Sequence, residues 1–241
     1  MRNRTILCFD VDGVLINTTH LGFNKVNKIL AEMKLPPASS DFLRELWGKK
    51  MDDLCSLICQ FQGANEEQTV RFKQREKQIQ PEYFFDRRLL KSLISLPQFG
   101  FLTAIITSRG ETDLKKYARK IGLNLDIFHY IQTADDYHRH KPCGYVFTPL
   151  LQWANNLGGF TAENIVYFGD TIKYDYRAVK NARDHGQLLK FIGVCSGVNT
   201  YKEFRGAGLE ETEIIPSHDA LPFYLDRLIQ VKSEKNFKEI K

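Results

Sequence analysis

The sequence predicts an α/β fold, a doubly wound parallel sheet carrying an inserted α-helical domain. Three observations predict it. Short apolar runs alternate with stretches of helical period over most of the chain, the rhythm of strands joined by crossover helices. That rhythm breaks once, from about Asn17 to about Arg88, where helical spacing continues and strand-like runs stop. The length of 241 residues, 43% hydrophobic and 26% charged, suffices for a sizeable core. It also excludes a disordered chain, a collagen, a coiled coil and a disulfide scaffold.

The first expected strand is Ile6–Phe9, which ends at Asp10. In the interval that follows, Val26, Ile29, Leu30 and Met33 have helical spacing, as do Leu54, Leu57, Ile58 and Phe61. Asn65 followed by Glu66 and Glu67 reads as an N-cap with first-turn acids. Beyond it come strands at Leu102–Ile106, Phe128–Gln132, Ile165–Phe168 and Leu189–Val194, with a short run at Glu213–Ile215. Helices between them are marked by Leu114, Tyr117, Ala118 and Ile121, then by Val146, Leu150, Trp153 and Leu157. Gly122 and Gly158 stand where these helices would be capped. The expected division is therefore 1–16 with 89–230 as the sheet domain, 17–88 as the helical insertion, and 231–241 as a flexible basic tail.

The formal charge of +5 is mild and dispersed, which argues against nucleic acid and suits an anionic small molecule. No apolar run approaches eighteen residues, so no membrane span is expected. The basic then apolar start breaks at Asp10 without a small-residue cleavage site, unlike a secretory signal. Cys8, Cys55, Cys59, Cys143 and Cys195 are odd in number and scattered without zinc spacing. They read as core packing in a reducing cytoplasm.

Ligands of a parallel sheet bind outside the carboxyl ends of its strands. The first strand delivers Asp10 and Asp12 there, the second Thr107, Ser108 and Arg109. A loop after the third delivers Lys141-Pro142, and the fourth delivers Gly169, Asp170 and then Asp175. Each piece alone is ordinary: Asp-x-Asp is commonly a solvated turn, and Thr-Ser or Gly-Asp-Thr a helix cap. Their common placement at strand ends is what chance does not readily produce.

Together, Asp10 to Leu15 (Asp-x-Asp-Gly-x-Leu), Ala104 to Thr107, Lys141-Pro142 and Gly169 to Asp175 resemble the four motifs of the haloacid dehalogenase (HAD) superfamily. Within it they are similar to the phosphoglycolate-phosphatase-like branch with a helical (C1-type) cap. The resemblance spans about Ile6 to Leu228 and implies a Rossmann-like HAD core with residues 17–88 as cap. Two departures stand out. Four residues separate Asp170 from Asp175 where three are commoner, and Cys143-Gly144 replaces a small residue and Pro, a change given no weight.

The resemblance and the residue chemistry imply the same roles. Asp10 attacks phosphorus and forms an aspartyl-phosphate that water then hydrolyses. Two anions meeting in an oxygen-rich site call for Mg²⁺, with Asp10 and Asp170 as side-chain ligands and the Asp12 carbonyl as a third. Asp175 completes the metal set, through a bound water or by holding Lys141. The Asp12 side chain, left free, protonates the leaving oxygen and later deprotonates water. Haloacid dehalogenases, which need neither step, carry no acid there. Thr107 and Lys141 hold and neutralise the transferring group. Ser108 and Arg109 are expected substrate contacts, the alternatives being a capping Ser and a solvated Arg. Lys49 and Lys50 in the cap are expected to meet a second substrate anion.

The expected protein is thus a phosphoric monoester hydrolase acting on a small phosphorylated metabolite, phosphoglycolate-phosphatase-like in class. A phosphosugar mutase of the β-phosphoglucomutase type, an inorganic pyrophosphatase and a degenerate binding or regulatory protein are the alternatives. The sequence leaves monomer or dimer open.

Overall fold

The computed structural model describes residues 5–47, 51–79, 85–158, 160–196 and 198–238. The chain divides into two compact units, residues 1–16 with 84–241 and residues 17–83.

The first unit is built on six parallel strands: β1 (Thr5–Phe9), β2 (Phe101–Ile106), β3 (Tyr130–Gln132), β4 (Ile165–Gly169), β5 (Lys190–Val194) and β6 (Ile214–Ile215). Their order is β3-β2-β1-β4-β5-β6. The sheet winds one way from β1 through β2 to β3 and the other way from β4 outward. The switch point therefore lies between β1 and β4, where such sheets bind ligands. Ile6, Leu7, Cys8 and Phe9 are all buried, as a central strand covered on both faces requires. Phe9 pairs with Ile105 on one side and Phe168 on the other, so Asp10 emerges level with the last residues of β2 and β4. β3 is shorter than Phe128–Gln132 because a 3₁₀ turn, Leu125–Ile127, leads into it.

Gly122 ends its helix in the left-handed conformation, and Gly158 adopts the same conformation just past the next helix, Thr148–Asn156. Gly144 does have a structural role. A Cβ there would lie 2.4 Å from the backbone nitrogen of Ala182, on the helix Arg177–Asp184. Asn181 of that helix also donates to the Pro142 carbonyl at 2.8 Å, so the Lys141-Pro142 loop is held down by close backbone approach.

Among its described residues the second unit has four helices, α1 (Thr18–Glu32), α2 (Ser40–Leu46), α3 (Met51–Phe61) and α4 (Glu66–Gln78). Val26, Ile29, Leu30, Met33, Leu43, Leu54, Ile58 and Phe72 form its core with Cys55 and Cys59. The buried stripe of α3 thus uses its cysteines, and Phe61, grouped with the stripe by spacing, is 68% exposed and stacks on Phe42. Asn65 caps α4 reciprocally with Gln68, at 2.8 and 3.0 Å.

Two boundaries differ from expectation. The insertion closes at 83 rather than near 88, because the next helix, α5 (Arg87–Ser95), is capped by Asp86 and packs with the last helix. That last helix runs from Leu221 to Lys238, where a flexible tail was expected from 231. Leu221 and Leu225 are fully buried and pay the nucleation cost, after which Lys, Glu and Gln extend the helix at little expense. Lys232 lies over the Phe101 ring at 5.1 Å. All five cysteines are unpaired, and no helix among the described residues is long and apolar enough to cross a membrane.

Candidate active site

Asp10 leaves β1 with its backbone N–H on the Phe168 carbonyl at 2.9 Å, which ties it to β4. One carboxylate oxygen accepts from the Val11 amide at 2.7 Å, and the other from Lys141 Nζ at 2.6 Å. Lys141 also donates to Asp175 at 2.7 Å and to the Tyr167 hydroxyl at 3.0 Å. Its three donors are therefore all used, in a side chain only 4% exposed. Burial opposes the ammonium charge, but Asp10 and Asp175 more than offset it and hold the lysine above its ordinary range.

Asp175 is reached through a local irregularity. The extra residue between the two acids is absorbed by a π-helical turn, Ile172–Tyr176, closed by the Tyr176 amide on the Thr171 carbonyl at 3.0 Å. A π turn takes in one residue without breaking the helix, which returns Asp175 to Lys141 despite the longer spacing. One Asp175 oxygen accepts from Lys141 and from Tyr167 (3.1 Å). The other accepts from the Thr171 amide (3.0 Å) and hydroxyl (2.5 Å). Burial works to raise Asp175, yet Lys141 and Thr171 overturn it and keep the carboxyl below the usual range.

Asp170 follows β4 and accepts from the Ser196 hydroxyl at 2.9 Å. Its other oxygen takes no hydrogen bond from the described residues. Gly13 is in the left-handed region (φ 78°), and a Cβ there would come within 2.0 Å of the Asp170 oxygen that accepts from Ser196. The glycine after Asp12 is thus required twice, by conformation and by contact. Burial, with Asp175 and Asp10 nearby, holds Asp170 well above the carboxylate range, and burial pushes Asp10 up to about 7 against the pull of Lys141.

Asp10, Asp170 and Asp175 each bring a carboxylate oxygen within 4.8 Å of the others, all buried. One lysine faces three carboxylates, so the set is short of positive charge. Hard oxygen donors and a charge deficit fit a small divalent cation. Asp10 and Asp170 retain lone pairs for it, whereas Asp175 already has two donors on each oxygen. Asp175 is therefore placed as the anchor of Lys141, one of the two roles the sequence left open for it.

Thr107 is buried at the end of β2, its amide on the Gln132 carbonyl at 3.0 Å. Ser108 is exposed beside it, and both line a narrow cavity with Lys141, Thr133 and Tyr137. Arg109 is not solvated: its guanidinium forks onto both oxygens of Asp12 at 2.7 Å each and stacks on Tyr117 at 4.1 Å. Burial opposes its charge, and Asp12 more than restores it. Lys49 and Lys50 lie outside the described residues.

Sequence reasoning missed Tyr167, Ser196 and the Asp12–Arg109 pair. Tyr167 reads as one more strand residue. Ser196, just past the end of β5, was open to the same question asked of the other strand ends.

A family model described as haloacid dehalogenase-like hydrolase matches residues 7–185. The chain belongs to this family. A candidate β-phosphoglucomutase from Thermotoga maritima is similar in structure with a TM-score of 0.66 at 19% identity, covering 90% of this chain and 96% of that one. A candidate haloacid dehalogenase-like hydrolase from Bacteroides fragilis gives 0.61 at 22%, covering 89% and 97%. A predicted phosphoglycolate phosphatase from Haemophilus somnus gives 0.60 at 18%, covering 82% and 88%. These likenesses concern the fold. No curated protein sequence matches the chain.

Proposed function

We propose that this hydrolase is an Mg²⁺-dependent phosphatase of small phosphorylated metabolites, working through an aspartyl-phosphate on Asp10. The observation that supports it best is the buried chain Asp175–Lys141–Asp10 beside Asp170. Lys141 screens Asp10 from an approaching phosphate dianion, and Asp175 fixes where that ammonium points. Asp10 and Asp170, with the Asp12 carbonyl, would hold Mg²⁺, which would supply positive charge to offset that of the phosphoryl group.

An Asp10 oxygen forms a bond to phosphorus as the ester P–O bond breaks, and Asp12 gives a proton to the leaving oxygen. Asp12 then takes a proton from water, whose oxygen attacks the same phosphorus and returns Asp10 as a carboxylate. Thr107, with its hydroxyl at the β2 end, is the donor to a phosphoryl oxygen. The reading is tested by phosphate release from a panel of phosphorylated metabolites, with and without chelator, and by acid-stable, hydroxylamine-labile labelling of Asp10. Full turnover in excess chelator would overturn the metal dependence. Glucose 6-phosphate formed from β-glucose 1-phosphate and a bisphosphate primer, without free phosphate, would replace the phosphatase with a mutase.

A further inference from the structure

Arg109 is tied down more thoroughly than a surface arginine in a turn has reason to be. Its backbone N–H donates to the Thr107 hydroxyl at 3.2 Å, and its carbonyl accepts from Ala134 at 2.8 Å. Its guanidinium gives Nε to one Asp12 oxygen and Nη2 to the other, both at 2.7 Å, while Nη1 reaches Asp113 at 3.4 Å. The flat face rests on Tyr117 at 4.1 Å. Main chain, fork and ring stacking together leave the guanidinium one place to be. A two-point fork fixes the rotation of a carboxylate as well as its position, which a single lysine cannot do.

We propose that Arg109 is a positioning residue that orients the Asp12 carboxylate for proton transfer in both half-reactions. This rests on the reading of Asp12 as the group that protonates the leaving oxygen. Asp12 lies on the strand-end turn after β1, with a side chain 35% exposed. Among the described residues Arg109 alone donates to its carboxylate, so without the fork no hydrogen bond fixes its rotation. Arg109 also links the hydroxyl of Thr107, through its backbone N–H, to Asp12, which ties the turn after β2 to the turn after β1. A guanidinium engaged in this way is already committed, so Arg109 acts through Asp12 rather than on substrate.

The test is a comparison of leaving groups on the first half-reaction. Single-turnover phosphoryl transfer to the enzyme is measured for an alkyl phosphate, such as glycerol phosphate, and for p-nitrophenyl phosphate, whose leaving oxygen needs little protonation. Arg109→Ala and Arg109→Lys should each lose roughly 10–100-fold on the alkyl ester, a part of the range open to acid–base catalysis. Their loss on the aryl ester should be at least about tenfold smaller. In an Asp12→Ala background, removing Arg109 should cost nothing further.

Equal losses on the two esters, or independent losses in the double variant, would overturn the proposal and make Arg109 a structural or substrate-contacting residue. Lysine restoring the alkyl rate would also overturn it, because charge alone would then suffice. The pair has a readout that needs no substrate. The Arg109 side-chain Nε–H should give a protected NMR resonance in the wild type that is lost in Asp12→Asn. Its absence from the wild type would overturn the proposal outright. A wild type inactive on every phosphate ester would sink the phosphatase reading, and the positioning role would then stand or fall on that resonance.

Discussion

Asp10 and Asp12 are two residues apart on one strand end, yet they live in different physical worlds. Asp10 is 7% exposed and shares a buried lysine with a second acid while a third lies beside it. Asp12 is partly open to solvent and answers to a single arginine. Buried charges depend on one another, so removing one leaves its partners uncompensated at a cost of several kcal/mol. The Asp12–Arg109 pair keeps 35% and 23% of its side chains exposed, so water screens it in part and its loss costs less. Perturbing the first region should therefore disturb fold and chemistry together, and perturbing the second should disturb chemistry alone.

The largest expected effect is on the buried side. Asp10→Asn keeps shape but not nucleophilicity, and turnover should fall by on the order of 10⁶-fold, the scale of a lost nucleophile. Phosphate release from purified variant checks it, and undiminished release would remove Asp10 from the chemistry. Next is Asp12→Ala, for which alkyl-phosphate turnover should fall by roughly 10²–10⁴-fold. Its urea midpoint should correspond to a change within about 1 kcal/mol. A large loss of stability here would erase the contrast between the two acids.

Lys141→Met should show the opposite balance. Asp10 and Asp175 would be left buried without their cation, costing about 3–5 kcal/mol in denaturant titration. A cost below about 1 kcal/mol would mean that the cluster is solvated.

The smallest effect is linkage to pH and metal. With Asp10 held up to about 7, the native chain keeps a proton that the unfolded chain has released above its ordinary value near 4. Stability of the chelated protein should therefore fall as pH rises from about 4 to about 7 through this group. Asp170, also raised, acts in the same sense, and Asp175, lowered, contributes stability that is lost only in more acidic solution. Mg²⁺ seeks the deprotonated carboxylates, so its stabilisation should grow across that window. It should reach about 2.7 kcal/mol at a hundred times its dissociation constant. Thermal melts with and without chelator measure this, and a stabilisation independent of pH would place the ion elsewhere.

Much of this site is legible in the sequence. Asp10, Thr107 and Asp170 each stand where an apolar run stops, and a run of strand residues is a local signal. The helical insertion was visible for the same reason, as an interval in which one periodicity replaced two. Asp175 was harder. Its spacing differs from the common one, and only the π turn shows that the extra residue leaves its side chain on Lys141. Residues 231–238 misled because polar composition resembles a frayed end, whereas the buried Leu221 and Leu225 had already started a helix.

Taken alone, the sequence determined the elements, their order, the helical insertion and which chemical groups leave the strand ends. These follow from periodicity and turn chemistry within a few residues of each position. Only the tertiary structure decided which side chains meet. Asp12 and Arg109 are 97 residues apart in the chain, and Asp10 and Lys141 are 131 apart. Their pairing depends on strand register and on how two crossovers return to the sheet. Tyr167 gains its hydroxyl's role only because β4 lies beside β1 and a π turn folds back over it. Charge and hydrogen bonding act through space at a few ångströms, and local pattern carries no record of which distant residue will arrive there.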